Sequence, residues 1–433
     1  MLPLYPIKAI LSSSSLFWST PSIAKHLKPG VEWEIVEPER SEGWRTQAKL
    51  ATKQINLWKG GVEFGLYKTR THIVEPIPEC VVHHPAINAA VSALTSATIK
   101  CRTTAYVDPV LSSSKKKKKG GGGNGMTGNL KGGEGMLRYV QLQVERDTGK
   151  VTCSLVWNAD SYKHTQPHLS HLVKELRRTS PDLWHSIWVN CNDSTGNVIF
   201  KSNKWDLVSG PEYSTERMLG SSSSFDGGRG GEGRLYFNPK VFRQGNIGGF
   251  ERIAERVGEV VRERKGKRIC ELYAGVGVMG LSLWNGSRDQ GGLNLEWLRC
   301  SDSNPSNFGC FDLAKKSMGL TSDDSRRITY LTATAGKAVE EGECDDADIV
   351  IVDPPRSGLE GSIIKELVKS KREAGLMGSV DTLIYVSCGW NALTRDLEEI
   401  MKGRGGWKVE ECKGYVLFPG TNHVESLVVL TRE

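Results

Sequence analysis

Glu271-Leu272-Tyr273-Ala274-Gly275-Val276-Gly277-Val278-Met279-Gly280 is the stretch that decides how this chain folds. It joins a short apolar run, Arg268 to Leu272, to a segment that begins a helix at Met279, and its glycines permit a tight turn with close backbone approach. A second apolar run, Trp297 to Cys300, ends at Asp302, at the interval where a carboxylate holds ribose hydroxyls.

Outward from this turn the chain alternates between strand and helix. Pro305 to Ser317 has helical spacing, Ala347 to Val352 is a buried strand, and Leu359 to Arg372 is amphipathic. Thr382 to Val386 is a further strand leading to Cys388, and Glu425 to Leu430 is the last. Repeated β-α units predict an α/β fold, a Rossmann-like doubly wound sheet over residues 238–433 with ligands at the carboxyl ends of its strands. Residues 31–237 read instead as a central α+β domain. Gly43 to Gln54 and Gly61 to Pro76 are strand-like, Pro85 to Ile99 is a helix after a proline start, and Leu137 to Trp157 is a hairpin turning at Asp147-Thr148-Gly149-Lys150. Residues 112–135 and 220–233 are Gly/Ser-rich and poor in apolar side chains, so both are expected to be disordered inserts. Residues 1–30 contain no Asp or Glu and include Ser12 to Ser15; this N-terminal extension has the composition of an organelle transit peptide except that Arg is absent, and it leaves cytosol, nucleus and organelle open.

Bulk composition narrows the classes. Of 433 residues, 38% are hydrophobic, with no run near the ~20 apolar residues of a membrane span. The net charge is +7, but five of those charges are the run Lys115 to Lys119, without which the balance falls to +2. Binding to a polyanion therefore rests on local patches. Ten cysteines occur without a CxxC pair, which offers neither a zinc nor an iron–sulfur site and reads as reduced thiols.

The Gly-rich turn alone serves a dinucleotide or S-adenosylmethionine. Glu271 at the strand end disfavours a pyrophosphate and suits a cationic, phosphate-free cofactor. Asp353-Pro354-Pro355-Arg356 follows a strand end, where two prolines fix the backbone so that a planar base can approach; Arg in the last position disfavours an exocyclic amine as target. Cys388 follows the next strand. Carbon 5 of uracil is a poor nucleophile until a group adds at carbon 6, and a thiolate is the side chain best able to add and later leave. Glu425, preceded by His423, is the candidate base for the carbon-5 proton, with His423 as its competitor.

On these residues the chain resembles the RNA (uracil-5-)methyltransferases, in the branch without a four-cysteine cluster, from about Gly43 to the C-terminus and most specifically from Asn238 onward. The resemblance implies S-adenosylmethionine as cofactor, a uridine in structured RNA (tRNA or rRNA) as substrate, no metal, and a monomer. It implies Cys388 as nucleophile and Glu425 as base. Gln244 (in Phe242-Arg243-Gln244-Gly245-Asn246), Tyr273, Gly275, Gly277, Asp302 and Asp353 are implied as cofactor positions, with Arg356 and His423 toward the substrate. Gly43-Trp44-Arg45-Thr46 and Cys80 with His83-His84-Pro85 resemble the family's RNA-facing domain. The sequence departs from the family pattern at Val278, where Asn is common, at Gly389-Trp390, where Asn-Pro is common, and at Gly420, where Gln is common. Those departures leave open an inactive RNA-binding relative. A cytosine-5 methyltransferase also uses a thiolate, although Ser387 stands before Cys388 where Pro is expected, and a nicotinamide oxidoreductase shares only the turn.

Overall fold

The computed structural model of the protein describes residues 21–56, 59–107, 133–196, 198–219, 233–286, 295–373, 375–421 and 423–432. The transit-peptide-like residues 1–20, the Lys115 to Lys119 run and most of both Gly/Ser-rich inserts lie outside these. The end of the first insert is described and paired: Gly133 donates its N–H to Val107 at 2.9 Å, and a Cβ on Gly135, at φ +101°, would lie 2.1 Å from the Ala105 carbonyl.

The described chain divides into two compact units. One comprises the described residues within 42–214 and 238–245, the other those within 21–41, 215–237 and 246–432. These limits differ from boundaries at 31 and 238. The reason is long-range pairing: β1 (Trp33–Val36) lies parallel to a strand near the C-terminus, with Trp33 opposite Cys412 and Val36 opposite Tyr415. Before it, a helical turn (Pro21–Ala24) buries Ile23 completely in the same core.

The first unit is a seven-stranded sheet. It contains β2 (Gln47–Asn56), β3 (Gly60–Tyr67), β4 (Val74–Pro76), the helix α1 (Pro85–Lys100), β5 (Leu137–Val144), β6 (Val151–Trp157), α2 (His168–Thr179), β7 (Trp184–Cys191) and β8 (Trp205–Ser209). The strand order is β4-β3-β2-β5-β6-β7-β8, antiparallel except where β6 meets β7. The β5–β6 hairpin turns at Gly149, whose φ of +69° meets the demand of a tight turn. Alternate residues of β2 and β5, including Leu50, Val140 and Leu142, are fully enclosed against Ile87, Leu94, Leu172 and Leu176 of the two helices.

The second unit continues through β9 (Ser214–Arg217), β10 (Arg234–Phe237), α3 (Ile247–Arg264), β11 (Arg268–Leu272), α4 (Val278–Gly286), β12 (Trp297–Asp302), α5 (Ser306–Ser317), α6 (Ser322–Arg327) and β13 (Ile328–Thr332). It ends with α7 (Ala335–Glu340), β14 (Ile349–Val352), α8 (Gly361–Leu367), β15 (Thr382–Ser387), α9 (Trp390–Lys402), β16 (Lys408–Tyr415) and β17 (Glu425–Thr431). Eight strands form one sheet in the order β1-β16-β17-β15-β14-β11-β12-β13. The strands from β15 across to β13 are mutually parallel, and β17 runs antiparallel to both its neighbours. The amphipathic stretch expected over Leu359 to Arg372 is helical only from Gly361 to Leu367, because Glu360 has extended backbone and the N–H groups of Leu359 and Glu360 are bound by contacts described below.

Since Ile23 fills a dry core site beside this sheet, Ile23→Ala is expected to destabilise the protein by roughly 2–4 kcal/mol. Thermal unfolding of the full chain checks this, and a variant within half a kcal/mol of wild type contradicts it.

Candidate active site

The register of the sheet brings four motifs to one edge. Leu272 of β11 lies opposite Val352 of β14, and Val352 lies opposite Tyr385 of β15. Tyr273, Asp353 and Cys388 therefore leave neighbouring strands at the same carboxyl-terminal end. On the other side of β15, Ser387 pairs with Ser426 of β17, so Cys388 and Glu425 are the next residues beyond that pair on adjacent strands. Glu425 also lies opposite Tyr415 of β16.

The Gly-rich turn is built from inside. Its three glycines have distinct reasons. A Cβ on Gly277, at φ +79°, would lie 2.6 Å from the Phe311 ring, and one on Gly280 would lie 2.5 Å from a Glu271 carboxylate oxygen and 2.9 Å from Leu298. Gly275, at φ +57°, has nothing within 4 Å of that position, so its backbone faces open space. Asp302 braces the turn: its Oδ2 accepts the Gly275 N–H at 3.0 Å and its Oδ1 accepts the Asn304 N–H at 2.8 Å. From β13 the Tyr330 hydroxyl donates to the Gly275 carbonyl at 2.7 Å. Tyr273 sits at φ +58°, a left-handed conformation uncommon for a non-glycine residue, and its hydroxyl accepts the Glu360 N–H at 3.0 Å.

Glu271 does not do what its place in the sequence suggests. It is 1% exposed, and Oε2 accepts the Gly280 N–H of α4 at 2.8 Å while the Cys300 thiol lies 3.5 Å away. It is a brace beneath the turn, with no face toward a cofactor. Burial pushes its carboxyl up to about 7, with the charge of Asp353 adding to the rise and the Gly280 and Cys300 hydrogen bonds opposing it.

At the strand ends several ionisable groups act on one another. Burial raises the Asp353 carboxyl to about 7. Glu425, 3% exposed, is pushed up to about 8 by burial and then by Asp353, with Arg356 pulling the other way. The half-buried Cys388 thiol is raised by burial, by Glu425 and by Asp353; Arg356 opposes this. His423 is exposed, and its pKa is lowered by burial of its ring and by Arg356. Cys388, Glu425, Asp353, Arg356 and His423 thus form one electrostatic cluster. Gln244 lies in the segment 238–245 that belongs with the other compact unit.

Packing accounts for the departures at three positions. A Cβ on Gly389 would lie 2.8 Å from the Arg356 carbonyl oxygen, so the residue after Cys388 has no room for a side chain. Trp390 packs edge to face on Trp33 of β1, ring centres 5.4 Å apart. Gly420 sits at φ +85°, where an L side chain is strained.

The donor set suits S-adenosylmethionine. Gly275 offers an open backbone cradle, Asp302 a carboxylate at the end of the second strand, and Asp353 a half-buried carboxyl raised by burial. A cation bound beside Asp353 favours its ionised form, which a pyrophosphate does not. Among the described residues no group of three or more His, Cys, Asp or Glu is placed to hold a metal ion, and no helix is long and apolar enough to cross a membrane.

A doubly wound sheet with this first turn and these strand-end groups defines an S-adenosylmethionine-dependent methyltransferase. Residues 307–433 match the family model described as tRNA (uracil-5-)-methyltransferase. An uncharacterised RNA methyltransferase of Protochlamydia amoebophila is 34% identical over 392 residues, covering 90% of this chain and 86% of its own. One from Listeria innocua is 25% identical, covering 95% of this chain and 77% of its own. The chain belongs to the RNA (uracil-5-)methyltransferase family. Its fold is similar to the crystal structure of the Pyrococcus abyssi tRNA (uracil-54, C5)-methyltransferase in complex with S-adenosyl-L-homocysteine, with a TM-score of 0.64 and 20% identity, over 99% of this chain and 83% of that one.

Glu271, Asp353 and Glu425 keep their protons to about 7 to 8 in the fold, whereas in the unfolded chain carboxyls lose theirs near 4. Their contribution is complete below the unfolded value and is lost as pH rises through the folded ones. The melting temperature is therefore expected to fall between pH 5 and pH 8, and Glu425→Gln to flatten part of that slope. Calorimetry across this range checks both, and an unchanged slope in the variant contradicts the burial of this carboxyl.

Proposed function

We propose that the protein transfers a methyl group from S-adenosylmethionine to carbon 5 of a uridine in structured RNA, tRNA or rRNA, through a covalent bond between Cys388 and carbon 6. The observation that carries this reading is the position of Cys388 and Glu425 across the β15–β17 pair, beyond Ser387 and Ser426, at the sheet edge that also holds the Gly275 turn.

Family membership supports the reaction class and the cofactor. When bound, S-adenosylmethionine supplies an electrophilic methyl on a sulfonium. Gly275, Gly277, Tyr273 and Asp302 form the cradle, with Gln244 a further cofactor position, and Asp353 steadies the cationic end or the pyrimidine. A single uridine, flipped out of its stack, is required for the chain's groups to reach its ring. Cys388, as thiolate, adds to carbon 6 and leaves carbon 5 with the electron density to accept the methyl. Arg356 favours that thiolate, and Arg356 and His423 are the side chains assigned to the pyrimidine in this reading. The Glu425 carboxylate then removes the carbon-5 proton, the carbon–sulfur bond breaks, and the thiolate is restored. Glu425, its pKa near 8 in the free protein, acts as a base to the extent that neighbouring positive charge draws its proton away.

RNA carrying 5-fluorouridine has no removable proton at carbon 5, so incubation with the wild type and cofactor is expected to leave a denaturant-stable protein–RNA adduct. Cys388→Ala is expected to form none, and an adduct that persists in this variant excludes Cys388 as nucleophile. With ordinary RNA, Glu425→Gln should retain methylated RNA on the protein, read as a shifted band on a denaturing gel. Free 5-methyluridine released at the wild-type rate excludes Glu425 as the base.

A further inference from the structure

α9 carries a charge where its pattern calls for an apolar side chain. Asp396 shares the buried face of the helix with Leu393, Leu397 and Ile400 and is 1% exposed. Its carboxylate is fully engaged. Oδ2 accepts the Leu359 N–H and the Tyr385 O–H, each at 2.8 Å. Oδ1 accepts from Arg395 Nε at 3.0 Å and from its terminal nitrogen at 2.7 Å. That same Arg395 nitrogen donates to the Ser357 carbonyl at 2.7 Å.

These contacts converge on one loop, the segment that follows Asp353-Pro354-Pro355-Arg356. It passes so close to α9 that a Cβ on Gly358, at φ +88°, would lie 2.4 Å from Asp396 Oδ2. On its other side the Arg356 backbone abuts Gly389, directly after Cys388. The next residue, Glu360, ties the loop to the cofactor turn through Tyr273 and caps α7 by accepting the Ala335 and Gly336 N–H groups at 3.2 and 3.1 Å. Packing alone does not call for a carboxylate here, since a buried charge is costly unless its partners demand it.

We propose that Asp396, with Arg395, is a positioning residue: the pair clamps Ser357 to Leu359 on α9 and thereby holds the Arg356 backbone against Gly389, which keeps the Arg356 charge beside Cys388. The inference rests on the reading of Cys388 as nucleophile. The groups facing that sulfur are Arg356 and Asp353 from the loop after β14 and Glu425 from β17; of these Arg356 is the cation. Releasing the clamp lets Arg356 withdraw and leaves the two carboxyl groups in place, so the thiol becomes harder to ionise.

The test is the pH dependence of iodoacetamide alkylation at Cys388 in the intact protein without RNA, followed by mass spectrometry of its peptide. Asp396→Asn and Arg395→Ala are each expected to move the midpoint up by about one pH unit, about a tenfold slower reaction at pH 7. Arg356→Gln should do the same, and the Arg356→Gln/Asp396→Asn double variant should react no more slowly than Arg356→Gln alone. Tyr385→Phe removes a hydrogen bond to the same carboxylate but leaves the loop tethered, so it should lower the melting temperature without moving the midpoint. Should Asp396→Asn fail to fold, Arg395→Ala carries the test, because that side chain is 57% exposed. A folded clamp variant with the wild-type midpoint, or a double variant whose loss is the product of the single losses, overturns the proposal. Failure of the uridine reading shows separately, as absence of the 5-fluorouridine adduct whatever the alkylation profile.

Discussion

Everything at the active edge depends on the antiparallel pairing of β15 with β17. Both strands are buried along their whole length, from Thr382 to Ser387 and from Glu425 to Thr431. A strand buried on both faces has little freedom to slip, since its side chains interlock with the close-packed layers on either side. The pairing of Ser387 with Ser426 is therefore specified by the same apolar side chains that make the core, and it carries Cys388 and Glu425 to adjacent positions at no further cost. Parallel pairing of β15, β14 and β11 extends this alignment to Asp353 and the Gly-rich turn.

The electrostatics follow from that geometry. Three carboxyl groups, Glu271, Asp353 and Glu425, sit in or near one poorly solvated region, and each is raised above its ordinary range. They differ in what they can reach. Glu271 spends its hydrogen bonds within the protein, holding α4 against β11, whereas Glu425 and Asp353 share their surroundings with Cys388 and a single arginine. A cation bound beside Asp353 and Glu425 favours their ionised forms.

The sequence was legible where chemistry and local pattern coincide. Asp353, Cys388 and Glu425 each stand at a strand end bounded by Pro, Gly or turn residues, and those strands are recognisable as short apolar runs. Glu271 shows the limit of such reading: proximity to the glycines is visible in the letters, but the face its side chain takes is decided by the close approach of Gly280. The place of β1 is hidden for a different reason: Trp33–Val36 reads as extended, but its partner β16 lies beyond the whole of the other unit in sequence, and a local pattern names no partner at that distance. Asp396 does leave a trace, a lone carboxylate in the apolar stripe of α9, yet its meaning requires knowing that Leu359 and Tyr385 lie beside it.

Placing β1 beside β16 has a consequence for how the molecule is made. The sheet recruits residues from both sides of the interposed unit in sequence, while the described residues of 42–214 pair almost wholly among themselves. On the ribosome the interposed unit has its partners well before β16 emerges, and Trp33 to Val36 must wait until Lys408–Tyr415 has been made. Until then the early segment is an unpaired edge carrying apolar side chains, the kind of surface that chaperones shield.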